Sequence, residues 1–333
     1  MKSDASGDWR PSATLEVLKL RARMLERIRA FFSARDVLEV DTPALSSAAT
    51  PDPALASLVT RYTGPGAPHG QALYLHTSPE FPMKRLLAAG SGSIYQICKV
   101  FRNGEAGRSH NPEFTMLEWY RVEMDHHRLM DEVADLVSHA LAGQPALQSP
   151  EKLSYREIFE RRVGIDPHTA TASDCAQAAR AHGVTIPADL FEHHDVAIWR
   201  DLLLSHLIEP GLGQGRLTFV HDYPASQASL AQIRPGHPPL AERFELYLNG
   251  MELANGFHEL ADVAEQRTRF ERQLHARITS KLPPVPLDQR LLAALTQGLP
   301  DCSGVALGID RLVMLAAGAR TIQDVVTFPI ERA

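Results

Sequence analysis

Arg102, Phe114, Glu118 and Tyr120 fall in one stretch whose residue types suit an anion, a flat ring and an amine together. The run FRNGEAGRSHNPEF followed by TMLEWYR reads as two short strands joined by a polar loop. Hairpins normally close in two to five residues, so a connection this long between good strands usually has a job. Side chains alternate faces along a strand. Phe114, Met116, Glu118 and Tyr120 therefore share one side, and Thr115, Leu117, Trp119 and Arg121 the other. One face carries a ring, a carboxylate and a phenol in a row. Arg102 opens the loop and His110-Asn111-Pro112 closes it. An ordinary amphipathic hairpin with a solvated loop satisfies the same pattern.

Three further groups could join in chemistry. Glu252, Asn255 and Glu259 stand close together, separated by the small Ala254 and Gly256; two carboxylates and an amide so spaced could bind magnesium, bind ammonium groups, or face water. In SGVALGIDRLVML a small-residue strand feeds a helix with Arg311 in its first turn, where a cation opposes the helix dipole. A bound polyanion would explain that placement, and Ala306 and Gly308 leave room for one. Thr77-Ser78-Pro79-Glu80 starts another helix: Ser78 can cap, Pro79 suits the first position, and Glu80 sits in the first turn. Compensation of the dipole alone would account for Glu80.

The elements that must hold these residues are legible from periodicity. Residues 14–35 read as an amphipathic helix, followed by a strand Val37–Asp41 that ends at Thr42-Pro43. Residues 46–71, rich in Ser, Ala, Pro and Gly, predict a loop or irregular hairpin. Residues 125–141 and 151–209 predict mainly helix; the pairs His126-His127 and His193-His194 lack a partner at metal-ligand spacing and read as solvent-facing. Residues 210–215 are glycine-rich but precede a strand rather than follow one, so they read as a turn, not a dinucleotide loop. Phe244, Leu246 and Leu248 alternate with Arg243, Glu245 and Tyr247, and Asn249-Gly250 is a strong hairpin turn.

Composition narrows the class. A chain of 333 residues can bury a large core, and its composition is that of a soluble globular protein. No apolar run is long enough to span a bilayer, and the N-terminus lacks the apolar stretch of a signal peptide. Cys98, Cys175 and Cys302 form no CxxC pair and read as buried thiols of a reduced cytoplasm. A net charge of −6 argues against broad affinity for nucleic acid.

Phe101-Arg102, His110 to Phe114 and Glu118-Trp119-Tyr120 resemble motif 2 of class II aminoacyl-tRNA synthetases, specifically the lysyl type. The first helix and strand are similar to motif 1, and residues 303–315 to motif 3. The resemblance implies an α+β class II catalytic fold, a mainly antiparallel sheet flanked by helices. It implies a tail at 1–13 and a catalytic domain at 14–333 with a helical insertion at about 145–209. The cofactors implied are ATP and Mg2+. Arg102 would hold the α-phosphate, Phe114 would stack on adenine and Arg311 would contact the γ-phosphate, with Asn103, Gly104, Glu105, His110, Asn111, Glu252, Leu253 and Gly308 completing the ATP site. Ser78, Pro79, Glu80, Glu118, Tyr120, Asn255, Phe257, Glu259 and Ala306 would line the amino-acid pocket, and Glu252 and Glu259 would flank magnesium. Motif 1 implies a homodimer.

The chain departs from the lysyl pattern at several points. Motif 2 normally reads arginine-any-glutamate; here the third position is Gly104 and a glutamate follows at Glu105, so the adenine contact is either absent or made by Glu105 through a shifted loop. Glycine is usual where this chain has Ala306, and Ser-Pro-Leu-Ala is usual where it reads Ala228-Ser229-Leu230-Ala231. About a dozen residues precede the first helix, where lysyl synthetases place an anticodon-binding barrel. These features resemble the stand-alone lysyl paralogues that attach β-lysine to a lysine of translation elongation factor P. The expectation is a cytoplasmic AMP-forming ligase without stable tRNA binding or membrane attachment. A truncated tRNA-charging enzyme and an inactive regulatory paralogue are the alternatives.

Overall fold

The computed structural model describes residues 9–187, 190 and 195–333. A nine-stranded sheet forms its centre. Six neighbouring antiparallel strands make up most of it: β5 (Ile94–Phe101), β6 (Glu113–Val122), β12 (Cys302–Gly308), β11 (Met251–His258), β10 (Leu240–Leu248) and β8 (Arg216–Pro224), in that order. Two parallel strands close the edges, β1 (Leu38–Glu39) on β5 and β7 (Gln148–Ser154) on β8, and the short β9 (Ile233–Arg234) pairs with β10. The architecture is α+β with a mainly antiparallel sheet.

The expected hairpin is present, with Phe101 opposite Glu113 and the connecting loop at residues 102–112. Its alternation divides labour between the faces. Leu117 and Trp119 enter a core with Phe32, stacked 4.3 Å from Tyr95 and 5.5 Å from Trp119. Helices α1 (Leu15–Ser33), α3 (His126–Ala140) and α9 (Ile309–Ala317) cover that face of the sheet. The opposite face of β6 is left for a cleft. Packed beside it, α2 (Glu80–Ala88), α7 (Val263–Thr279) and α8 (Gln289–Gln297) share a smaller core through Met83, Leu87, Phe270 and Leu292.

Residues 46–71 form an irregular hairpin: β3 (Val59–Tyr62) pairs with β4 (Gln71–Leu75), which also pairs with β2 (Leu45–Ser46). Asn249 and Gly250 take φ of 51° and 73° between the paired Leu248 and Met251, as a two-residue turn of the primed type requires. The stretch 151–209 is not wholly helical. It opens inside β7, and only then come α4 (Tyr155–Arg162), α5 (Ala172–Ala181) and α6 (Val196–Leu203). These helices share a core with the sheet through Tyr155, Trp199, Val220, Tyr223 and Tyr247. His126 corrects another expectation: it is 2% exposed, because β11 brings His258 against it. His193-His194 lie outside the described residues. Cys175 and Cys302 are buried and Cys98 half-buried, all free thiols. Among the described residues no helix is long and apolar enough to cross a membrane.

Candidate active site

A cleft of about 580 Å³ lies over the free face of β6, β11 and β12. Phe114, Met116, Glu118 and Tyr120 of β6 all line it, as their alternation requires. Asn255 and Phe257 reach it from β11, and Glu259 from just past the end of that strand. Glu252 has the opposite parity, yet lines the same cleft. A β-bulge accounts for this: Leu246 pairs with Ala254 and Tyr247 with Glu252, leaving Leu253 as the extra residue that re-aims its neighbour.

One end of the cleft is acidic and sealed. Glu118 is 3% exposed and accepts hydrogen bonds from the Ser78 hydroxyl at 2.6 Å and the Tyr120 phenol at 2.7 Å. Burial, reinforced by the charge of Glu80, pushes its carboxyl up to about 8 despite those two donors. Lys84, 2% exposed, places its ammonium 2.6 Å from Glu80 Oε1 and 2.6 Å from Glu259 Oε2. Burial alone would lower Lys84, but Glu259 and Glu80 outweigh it and hold the ammonium above its ordinary value. Glu259 is itself pushed up to about 7 by burial, against the pull of Lys84. The Oδ1 of Asn255 is buried without a protein partner, an acceptor left for a ligand. Ala306 sits between Asn255 and Glu118 in the sheet register, so its methyl stands among these groups. Gly304 is required beneath them: a Cβ there would lie 2.3 Å from Tyr120 Cε1 and 2.5 Å from Glu259 Oε1.

The other end is cationic and more open. Arg311 donates to the Glu252 carbonyl at 2.7 Å and lies 3.4 Å from its carboxylate. Another Arg311 nitrogen is 2.7 Å from His110 Nε2. Burial and the nearby guanidinium hold His110 below its usual value, so the neutral ring can accept. Arg102 lies 3.5 Å from Glu105 and over the Phe114 ring, 5.0 Å from its centroid. Asp310 anchors this end. It takes Arg21 at 2.5 Å and the Thr115 amide at 2.6 Å, fixing the start of α9 against β6 and α1.

Most of the residues expected to form the site come together here. Pro79, Asn103 and Gly104 do not line the cleft. Pro79 is buried at the start of α2, where the Ser78 hydroxyl accepts from the Glu80 amide at 3.0 Å. Asn103 and Gly104 are exposed, the Asn103 amide being used on the Ala56 carbonyl at 2.7 Å. Gly104 has φ of +85°, a conformation a glutamate would strain to adopt, and Glu105 lines the cleft in its place. Asn111 lines the cleft but spends its side chain on the Glu113 carbonyl and the Ile330 amide. Glu252 and Glu259 stand at opposite ends. Arg311 lies beside Glu252, and Lys84 beside Glu259. Sequence reasoning missed Lys84, Arg243 and Asp310. Lys84 had one signal, its (i, i+4) spacing from Glu80. Arg243 lines the cleft with its guanidinium on Glu245 and 4.5 Å from the Tyr223 ring centroid.

Comparison with known proteins fits this geometry. The chain is 51% identical over 325 residues to proteins named elongation factor P–(R)-β-lysine ligase from Salmonella paratyphi B and Salmonella schwarzengrund, covering 98% of this chain and 98% of each relative. The protein of that name from Salmonella dublin matches equally well. Residues 5–332 match the family described as tRNA synthetases class II (D, K and N). With β6 and its loop, the bulged β11 and the β12–α9 junction walling one cleft, the chain belongs to that class II synthetase family.

Proposed function

We propose that the protein is an AMP-forming ligase that activates β-lysine as an aminoacyl-adenylate and passes it to a lysine ε-amine of elongation factor P. One observation carries the reading. A single cleft opposes a sealed cluster of Glu80, Glu118 and Glu259 to an open end holding Arg102 and Arg311, in a chain 51% identical to ligases of that name. The acidic end suits a substrate with two ammonium groups, and the cationic end suits a triphosphate.

In the first step the amino-acid carboxylate attacks the α-phosphorus in line, forming the acyl–phosphate bond and expelling pyrophosphate. Arg102 and Arg311 neutralise charge on the phosphates, while Phe114 offers its ring to the adenine. Magnesium, when bound with ATP, neutralises phosphate charge. Glu252, beside Arg311, and Glu259, beside Lys84, would be the carboxylates that hold it. In the second step the acceptor amine attacks the acyl carbon, an amide forms and AMP leaves. The amine, with an ordinary pKa of ~10.4, must first lose a proton.

Leu15, Leu38 and Leu45 keep large exposed apolar surfaces on and near α1 and β1, which supports a homodimer through that region. Pyrophosphate exchange across lysine isomers tests the first step, with β-lysine expected to exceed α-lysine. Mass addition to elongation factor P tests the second. Exchange without mass addition would remove the proposed acceptor, and lysine retained on tRNA would replace it with tRNA charging.

A further inference from the structure

On the far side of β11 from the cleft, four elements bring together residues that the ligase chemistry does not use. His126 begins α3, Glu242 lies on β10, His258 ends β11, and Asp301 precedes β12. One ligand atom each from His126, Glu242 and His258 lie within 4.8 Å of one another. His258 places Nδ1 2.6 Å from Glu242 Oε2 and Nε2 2.7 Å from Asp301 Oδ1. That hydrogen-bonded row would be a complete explanation of His258, but it leaves His126 unexplained. His126 is 98% buried by its 2% exposure, and neither of its ring nitrogens has a partner. A buried polar group without a partner is costly and rare, and an imidazole held so beside a second imidazole and a carboxylate offers a free lone pair.

We propose that His126, His258 and Glu242 form a binding site for a divalent transition-metal ion of the zinc type. Two imidazoles and one carboxylate are a donor set that zinc accepts, leaving a fourth position for water. With the ion on the Nδ1 side of His258, beside Glu242, the Nε2–H donates to Asp301. That is the carboxylate–histidine–metal relay that orients metal-bound imidazoles. The surroundings are mixed. Asp222 is near, while Arg234 lies 3.6 Å from Glu242, and His127 and His221 form a second row with ring centroids 5.2 Å apart. Asp125 caps α3 and offsets the positive end of the helix where His126 stands. Side-chain exposures of 15% for both His258 and Glu242, and 68% for Asp301, give the ion a path from solvent. A bound ion would tie α3, β10 and β11 together directly behind Phe257 and Glu259.

Zinc titration of the full-length protein by calorimetry, with cobalt(II) as a visible-absorption probe, tests the site. The expected result is one zinc per chain that magnesium does not displace, a cobalt spectrum of low coordination number, and a rise in melting temperature with zinc. His126→Gln and Glu242→Gln should each weaken zinc binding about tenfold or more, and Asp301→Asn by about 10- to 100-fold. Circular dichroism and cooperative unfolding of each variant without metal confirm its fold; if one variant does not fold, the other two carry the test. Absence of zinc binding by the wild type overturns the proposal. So does equal affinity in correctly folded His126→Gln, which would place the metal on cysteines or other histidines.

Discussion

Binding of a doubly cationic substrate should release a proton from the acidic end of the cleft, and affinity should climb with pH. Glu118 is pushed up to about 8 by burial and the charge of Glu80, so at pH 7 roughly one molecule in ten carries it ionised. A ligand ammonium that requires the carboxylate then binds about tenfold more weakly at pH 7 than at a pH well above 8, one unit being worth about 1.4 kcal/mol. Glu259, pushed up to about 7, adds a second and shallower contribution. Stability of the free protein runs the opposite way. The folded-state value of Glu118 lies above its ordinary 4.5, so the folded form holds a proton that the unfolded chain has lost, and stability falls as pH rises from about 4.5 through 8. The assay is calorimetric titration of β-lysine from about pH 6 to 9, repeated in two buffers of different ionisation enthalpy to count protons. Glu118→Gln should bind weakly and flatten the profile. A wild-type affinity that is level over this range, or a Glu118→Gln profile as steep as wild type, refutes the reasoning.

Replacing Lys84 with Met strands Glu80 and Glu259, and breaking a buried pair in this way costs about 3–5 kcal/mol; thermal unfolding should show the loss, with β-lysine raising the melting temperature more in the variant than in wild type. A melting temperature unchanged by Lys84→Met would show that the pair adds nothing. Gly304→Ala drives a methyl against Tyr120 and Glu259 and should cost about 1–3 kcal/mol of stability, raising KM for the amino acid in pyrophosphate exchange; an unaltered KM would contradict the packing described. Ala306→Gly removes a methyl between Glu118 and Asn255, and a methyl in a tight pocket is worth about 1–3 kcal/mol, so the preference of β- over α-lysine in exchange should fall by about tenfold. An unchanged preference would take Ala306 out of specificity. Arg311→Ala should lower the exchange rate by about 10²-fold or more, whereas a rate near wild type would exclude a role in charge neutralisation.

What could be read from the sequence was whatever repeats locally. The two faces of β6, the Asn249-Gly250 turn, the β12–α9 junction and the end of α9 at Gly318, with φ of +62°, all follow from period and turn chemistry. Features that depend on distant partners were not legible. Lys84 looks like a surface (i, i+4) partner of Glu80 until Glu259, far away in sequence, buries it. Residues 148–154 are too polar to read as a strand, yet pairing with β8 makes them one. The bulge at Leu253, which lets Glu252 line the cleft, leaves no composition signal. His126 reads as a surface histidine because nothing nearby in sequence tells of β11 lying over it.

The alternation of β6 has an evolutionary consequence. Neighbouring positions along the strand answer to different demands: Leu117 and Trp119 to one core, Glu118 to the ligand, and Tyr120 both to the cleft and to the smaller core of Met83, Leu87 and Phe270. Where the contacts do not overlap, as at Glu118, a lineage can exchange a pocket residue without loosening the core beneath Leu117 and Trp119, and substrate preference can drift on a fixed frame. A one-residue insertion is another matter. It would swap the two faces at once, turning Trp119 into the cleft and Glu118 into the core. The strand therefore tolerates changes of residue but not of length, and new substrates on this scaffold should arise by substitution.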